Sequence, residues 1–301
     1  MAELSEKYIA GFLDADGSIQ VVWRHNTDEN KRNGVARGYL SLEFTQLTRN
    51  DEVLQRIKNA IGGCIVTNDE RKSSTLKLQG SEAVKVLSRI EKYLVVKRHY
   101  ARVVLELVGK DVPLDQAKAY LKAQRKVKGA LPNYPSRKWL AGYFDGDGSF
   151  QVRIGKGRTA AQPVASITAS AYDAEGVELL AKCFGGSLAV KNNGGDDLVC
   201  WTLTMPPSKV KQFVGYFAAE LITKQDQARF LLGCAEMGHF RDGKSIKSAL
   251  KQLKAQPHRL SEPKADVPAL LATVQDLPNP RPEIARRIAA GRARTRNGAF
   301  V

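Results

Sequence analysis

Two short runs place a pair of carboxylates directly after an apolar, small-residue segment: AGFLDADGS at residues 10–18 and AGYFDGDGS at residues 141–149. Leu4, Tyr8 and Phe12 recur at helical spacing ahead of the first run, so the acids fall at the end of a helix. The helix macrodipole already concentrates negative charge there, and a cation or another partner must offset the added acid. A calcium loop of the EF-hand type does not fit. Counting from Asp14, Ile19 stands where that loop needs glycine and His25 where it needs a bidentate Glu; from Asp145 the same positions are Phe150 and Lys156. Gly17 and Gly148 suit a left-handed helix cap, yet a cap requires no second carboxylate.

The chain has 301 residues, 43% of them hydrophobic, enough for one large or two ordinary domains. Its formal net charge of +16 points to a polyanionic partner, either nucleic acid or an anionic membrane surface. No apolar run approaches the roughly 18–20 residues of a membrane span, which argues against integral insertion. The first residues reach acids before any long apolar stretch, so no signal peptide is expected. Cys64, Cys183, Cys200 and Cys234 form no Cys-x-x-Cys pair, which argues against zinc and a disulfide framework and fits a reducing compartment.

Internal repeats set the organisation. YIAGFLDADGS (8–18) returns as WLAGYFDGDGS (139–149), IGGCIV (61–66) as FGGSLA (184–189), and YLVVKRHYA (93–101) parallels ELITKQDQA (220–228). The three matches keep their order, so the chain reads as a tandem duplication: a first half (1–108), a short helix and linker (109–137), a second half (138–240) and a basic extension (241–301). Thirteen of the extension's residues are Lys or Arg and five Asp or Glu, with a short helix after Pro282 and a flexible end expected. Each half reads as helix, hairpin, helix, hairpin, helices. Strand alternation is clearest where Phe150, Val152 and Ile154 interleave with Gln151, Arg153 and Gly155. In the first half a polar loop (26–37) leads to a strand over 39–45, followed by a helix over 51–60 and a hairpin over about 65–79. The fold class is α+β with two pseudo-symmetric halves, each an antiparallel sheet covered on one face.

The repeated YIAGFLDADGS and WLAGYFDGDGS resemble the LAGLIDADG motif of homing endonucleases, and the duplication resembles that family's single-chain, two-motif members. The resemblance spans roughly residues 5–240. It implies curved sheets forming a DNA-binding saddle, and a monomer that cuts both strands of a long, non-palindromic site. The two motif helices would pack through Ala10, Gly11, Ala141 and Gly142, bringing Asp16 and Asp147 together beside a phosphodiester. Cations between two such carboxylates would relieve their repulsion and support hydrolysis. By the same resemblance Asp16 and Asp147 are metal ligands, assisted by the carbonyls of Ala15 and Gly146, while Asp14 and Asp145 are mainly structural. Lys97 and Lys224 match a position near the active site, where a cation stabilises developing charge or tunes a water; surface helix lysines are the alternative. Gln46 matches a water-organising position whose counterpart is Ala169, so the two centres are unequal. Mg²⁺ is the expected cofactor, with Mn²⁺ substituting and Ca²⁺ supporting binding without cleavage.

DNA contacts are expected from the strand faces opposite the apolar stripes: Gln20, Arg24, Tyr39, Ser41, Glu43, Thr75, Lys77 and Gln79 in the first half, and Gln151, Arg153, Ser166 and Thr168 in the second. Lys31, Arg32, Arg37, Lys156 and Arg158 in the loops suit phosphate contacts, as does the basic extension. Two other roles use the same basic surface: a maturase binding host-intron RNA, and a catalytically silent DNA-binding protein. Intact acids in both motifs favour the nuclease. An organelle (chloroplast or mitochondrion) or a prokaryotic cytoplasm is the expected location, with no secretion and no membrane partner.

Overall fold

The computed structural model describes residues 4–154, 161–170, 173–192, 199–236, 243–256 and 267–275. The first half runs α1 (Glu6–Asp16), β1 (Gly17–Arg24), α2 (Asp28–Arg32), β2 (Val35–Leu47), α3 (Glu52–Ile61), β3 (Cys64–Asn68), β4 (Ser73–Gln79), α4 (Gly80–Ile90) and α5 (Arg98–Leu107). A short strand, β5 (Asp111–Pro113), and helix α6 (Leu114–Gln124) lead to the second half. There follow α7 (Arg137–Asp147), β6 (Gly148–Ile154), β7 (Ala161–Ser170), α8 (Ala174–Phe184), β8 (Ser187–Asn192), β9 (Val199–Met205), α9 (Pro207–Phe217) and α10 (Gln225–Glu236). Two helices of the extension, α11 (Gly243–Ala255) and α12 (Val267–Gln275), complete the described chain.

The sheets have matching antiparallel orders, β1-β2-β4-β3 and β6-β7-β9-β8. In the first, Ile19, Leu40, Leu42, Phe44, Leu76 and Leu78 are buried on one face, under the apolar sides of α3 and α4. Strand β2 begins earlier than the apolar alternation foretells, because Val35–Arg37 pair with β5 beyond the core; the expected polar loop is thus partly strand and partly the short helix α2. The helix expected over 51–60 lies one residue later. Gly62 and Gly185, at φ of +83° and +72°, close α3 and α8 in a positive-φ conformation that glycine adopts without strain.

Helices α1 and α7 are the centre of the molecule. Every residue from Tyr8 to Asp14 and from Trp139 to Asp145 is buried, so neither helix has the single apolar face of a surface helix. They lie against each other through the small residues. A Cβ on Gly11 would fall 2.0 Å from the Trp139 carbonyl oxygen, and one on Gly142 would fall 2.1 Å from that of Tyr8. One difference between the motif copies follows from the same closeness: a Cβ on Gly146 would lie 2.4 Å from the methyl of Ala15, so only one of these two positions can carry a side chain.

Gly17 and Gly148 are not left-handed caps. Their φ values of −105° and −78° are open to other residues, and the chain passes straight from helix into strand. Glycine is required for space instead, since a Cβ would meet Leu13 Cδ1 and Phe144 Cγ at 2.4 Å each. The extension is more than a tail: α11 buries Ile246, Ala249, Leu250 and Leu253 against β6 and β7, and Leu271 of α12 lies over Gly233 of α10. The helix expected after Pro282 lies outside the described residues.

The helix seam gives a pair of opposite-signed outcomes. Gly11→Ala and Gly142→Ala should each lower stability in urea denaturation by about 2–3 kcal/mol or more, because backbone cannot yield to the added methyl. Gly215→Ala, inside α9 with no atom near its added Cβ, should raise stability by about 0.5–1 kcal/mol. Equal effects at the seam and at Gly215 would rule out the close approach.

Candidate active site

The first Asp of each motif is fully buried, and its partners come from both halves. Asp14 accepts hydrogen bonds from the Val95 N–H at 2.7 Å, the Lys97 N–H at 2.8 Å and the Trp139 indole N–H at 2.8 Å. Asp145 accepts from the N–H groups of Ile222, Thr223 and Lys224 at 2.7, 3.2 and 2.9 Å and from the Tyr8 hydroxyl at 2.6 Å. Tyr8 and Trp139 occupy equivalent places in the two repeats, so each half's aromatic donates to the other half's carboxylate. This reciprocal clasp agrees with a structural role for Asp14 and Asp145. It also fixes the segments just before α5 and α10.

Those segments carry Lys97 and Lys224, and neither is a surface helix lysine. The Lys97 ammonium donates to the carbonyls of Leu13, Asp14, Ala15 and Gly17 at 2.8, 2.8, 3.4 and 2.9 Å. That of Lys224 donates to Phe144 at 3.0 Å, to Asp145 and to Gly146 at 3.2 Å. The partner that offsets acid at each helix C-terminus is therefore an ammonium group seated on the carbonyls of the last turn. Burial holds the Lys224 ammonium below the ordinary lysine range, while the carboxylates of Asp145, Asp16 and Asp147 pull it back up.

Asp16 and Asp147 end the two helices and are partly buried. Burial pushes the Asp147 carboxyl up to about 7, and the Asp16 carboxylate adds to the rise against the pull of Lys97 and Lys224. The Asp16 carboxyl is also raised by burial, opposed by Lys224 and Lys97. Two partly buried acids, one of them raised by the charge of the other, form an interacting pair, which a shared proton or a cation stabilises. Beside Asp16, the Gln46 amide donates to Oδ2 at 3.4 Å. Its cross-strand neighbour Ser74 is bonded in turn to Thr67 and Thr48, each at 3.3 Å. The equivalent row in the second half is Ala169, Trp201 and Val190, which is apolar throughout.

The donor set suits a hard divalent cation. The two carboxylates and the carbonyls of Ala15 and Gly146 are all oxygen donors, and no group of three or more His, Cys, Asp or Glu among the described residues forms a closed metal cage. Magnesium characteristically binds one or two carboxylates and fills its remaining positions with water and substrate phosphate.

The residues expected to contact DNA do not all lie exposed on the outward sheet faces. Gln20, Arg24, Tyr39, Glu43, Thr75, Lys77 and Gln79 lie on the sheet face away from the core, as do Gln151, Arg153 and Thr168. Several are tied to neighbours: Lys77 to Glu43 at 3.1 Å, Tyr39 to Asn26 at 3.3 Å, and Arg24 over the Tyr39 ring. Ser41 and Ser166 have the expected direction but are only 3% and 7% exposed, because a short side chain does not clear its longer neighbours. Arg37 is held by Asp111 of β5 at 3.3 Å rather than lying in a loop. Lys31 and Arg32 lie exposed on α2, and Lys156 and Arg158 lie outside the described residues. Exposed Val22, Leu47 and Val66, which no polar reading of the strands includes, also lie on the first sheet's outer face. The alternation that placed their polar neighbours would have found them.

Two pseudo-symmetric α+β halves sharing one partly buried carboxylate pair, beneath two outward sheet faces, define a protein of the LAGLIDADG nuclease class. Consistent with this, the sequence model for LAGLIDADG endonuclease matches residues 9–104 and 140–236, and the chain belongs to that family. No curated protein sequence matches it. The fold is similar to that of meganuclease I-SmaMI bound to uncleaveable DNA (TM-score 0.60, 21% identity, covering 83% of this chain and 96% of that one). It is also similar to meganuclease I-AabMI bound to uncleaved DNA (0.62, 14%, 85% and 100%) and to homing endonuclease I-GzeII in complex with its DNA target (0.55, 15%, 90% and 97%).

A carboxyl whose folded pKa lies above its unfolded value subtracts stability once the pH exceeds both. At pH 8 in chelator, Asp147→Asn should therefore raise the thermal midpoint, the gain corresponding to roughly 1–3 kcal/mol. Added Mg²⁺ should stabilise the wild type more than the variant. A variant no more stable than wild type in chelator would remove the coupled pair from the account.

Proposed function

We propose that this protein is a monomeric, divalent-metal-dependent endonuclease that makes a double-strand break in a long, non-palindromic DNA site. The observation that carries the proposal is the partly buried Asp16–Asp147 pair at the seam of two similar but unequal halves. One carboxylate can serve each strand of a duplex lying along both sheets. Because the sheets expose different side chains, a palindrome would not suit both. The DNA-bound states of I-SmaMI, I-AabMI and I-GzeII support double-stranded DNA as the partner.

Asp16, Asp147 and the carbonyls of Ala15 and Gly146 would hold the metal ions, which supply water activation and charge stabilisation at the phosphate. Mg²⁺ is the proposed ion, Mn²⁺ a substitute, and Ca²⁺ a support for binding alone. In hydrolysis the water oxygen bonds to phosphorus, the bond from phosphorus to the leaving sugar oxygen breaks, and a proton returns to that oxygen. Gln46 orients the Asp16 carboxylate and nearby water. Lys97 and Lys224 hold the helix ends rigid and keep positive potential under the phosphodiester. Arg24, Gln20, Gln79, Gln151 and Arg153 reach base edges in the groove, where Arg suits guanine and Gln suits adenine. Lys31 and Arg32 contact phosphates.

Cleavage of a randomised DNA library with Mg²⁺ would reveal activity and target together. On the recovered site, Asp16→Asn and Asp147→Asn should abolish double-strand cleavage while binding in Ca²⁺ stays within a few-fold of wild type. Full Mg²⁺-dependent cutting by either variant would overturn the metal assignment. Binding should also fall steeply between 50 and 200 mM salt, by about a thousandfold if six or more phosphates are neutralised.

A further inference from the structure

The two centres differ at a second place, the serine two residues beyond each metal-binding Asp. In the first half the Ser18 hydroxyl is satisfied locally, accepting from Gln20 Nε2 at 2.8 Å. In the second half Ser149 accepts instead from the Lys254 ammonium at 3.3 Å, on a side chain more than a hundred residues away in the chain. Lys254 lies near the end of α11, whose apolar side is packed on β6, so the extension is built into this site. It borders a cavity of about 620 Å³ along β6, also lined by Arg153, Lys247 and Lys251. Among the described residues lining it are four cations and no acid. Lys254 also lies close enough to the Lys224 ammonium for the two positive charges to oppose one another. An uncompensated cluster of this kind suits an anion that spans several ångströms, and a nucleic-acid backbone is such an anion.

We propose that Lys254 is a positioning residue for the second strand: the basic extension delivers its ammonium to the Asp147 centre, where it holds the backbone phosphate of the strand cut there. The second centre lacks the polar row around Gln46, and the cation from α11 takes over the task of fixing the phosphodiester. The inference rests on the nuclease reading above and deepens it, assigning α11 to one strand only.

The test uses the full chain on its recovered target, with each strand separately end-labelled and single-turnover cleavage followed in Mg²⁺. Lys254→Met keeps the apolar stem and should slow one strand by about ten- to a hundredfold, accumulating a nicked duplex, with the other strand within twofold of wild type. Lys254→Arg should restore most of the rate. Gln46→Ala should slow the opposite strand, which identifies the centre that each variant touches. Thermal midpoints and Ca²⁺-supported binding near wild type would separate the effect from unfolding. Equal slowing of both strands, slowing of the same strand as Gln46→Ala, or no slowing would overturn the assignment of Lys254. A wild type that cuts neither strand would instead overturn the nuclease reading, and the inference with it.

Discussion

The reciprocal clasp of Asp14 and Asp145 is the interaction on which the rest depends. A fully buried carboxylate is tolerated only when hydrogen bonds replace water, and each of these has at least three donors. Two consequences follow from where those donors come from. The aromatic donors lie on the opposite half, so the clasp locks α1 to α7. The backbone donors lie just before α5 and α10, so the same carboxylates seat Lys97 and Lys224 under the helix ends. Close packing, lysine placement and the meeting of Asp16 with Asp147 are thus one coupled arrangement.

That arrangement stores unfavourable electrostatics for use. Two acids at helix C-termini, partly buried together, oppose the dipoles and the loss of water, and Asp16 also opposes Asp147. The lysines offset the dipoles and part of the acids' charge, and burial still leaves both carboxyls raised. A carboxylate pair that is costly on its own would suit the proposed metal-assisted phosphodiester chemistry. The glycines are part of the same trade, because side chains at Gly11, Gly142 or Gly146 would hold the helix ends apart.

The pseudo-symmetry is broken where the halves touch and where they meet substrate. Ala15 faces Gly146 because there is space for one methyl. The Gln46, Ser74, Thr67 row faces its apolar counterpart Ala169, Trp201, Val190. The extension adds α11 to the second sheet, whereas the first has the linker strand β5 on β2. A duplication fused into one chain frees each half from self-complementarity, and the two sheets accordingly present different faces.

By itself the sequence determined the duplication, the α+β order of each half and the four acids, because these are written in local periodicity and in direct repetition; the small-residue seam followed from the family resemblance. Lys97, Lys224 and Gln46 were legible as positions, but what each touches was not. Tertiary structure alone decided that the lysines cap carbonyls some eighty residues earlier, that Tyr8 and Trp139 donate across the halves, and that Gly17 and Gly148 serve space rather than a left-handed turn. It also decided that Ser41 and Ser166 are shielded, that Arg37 is held by Asp111, and that Lys254 reaches Ser149. Each of these depends on distances between segments remote in the chain, which no pattern of neighbouring residues encodes.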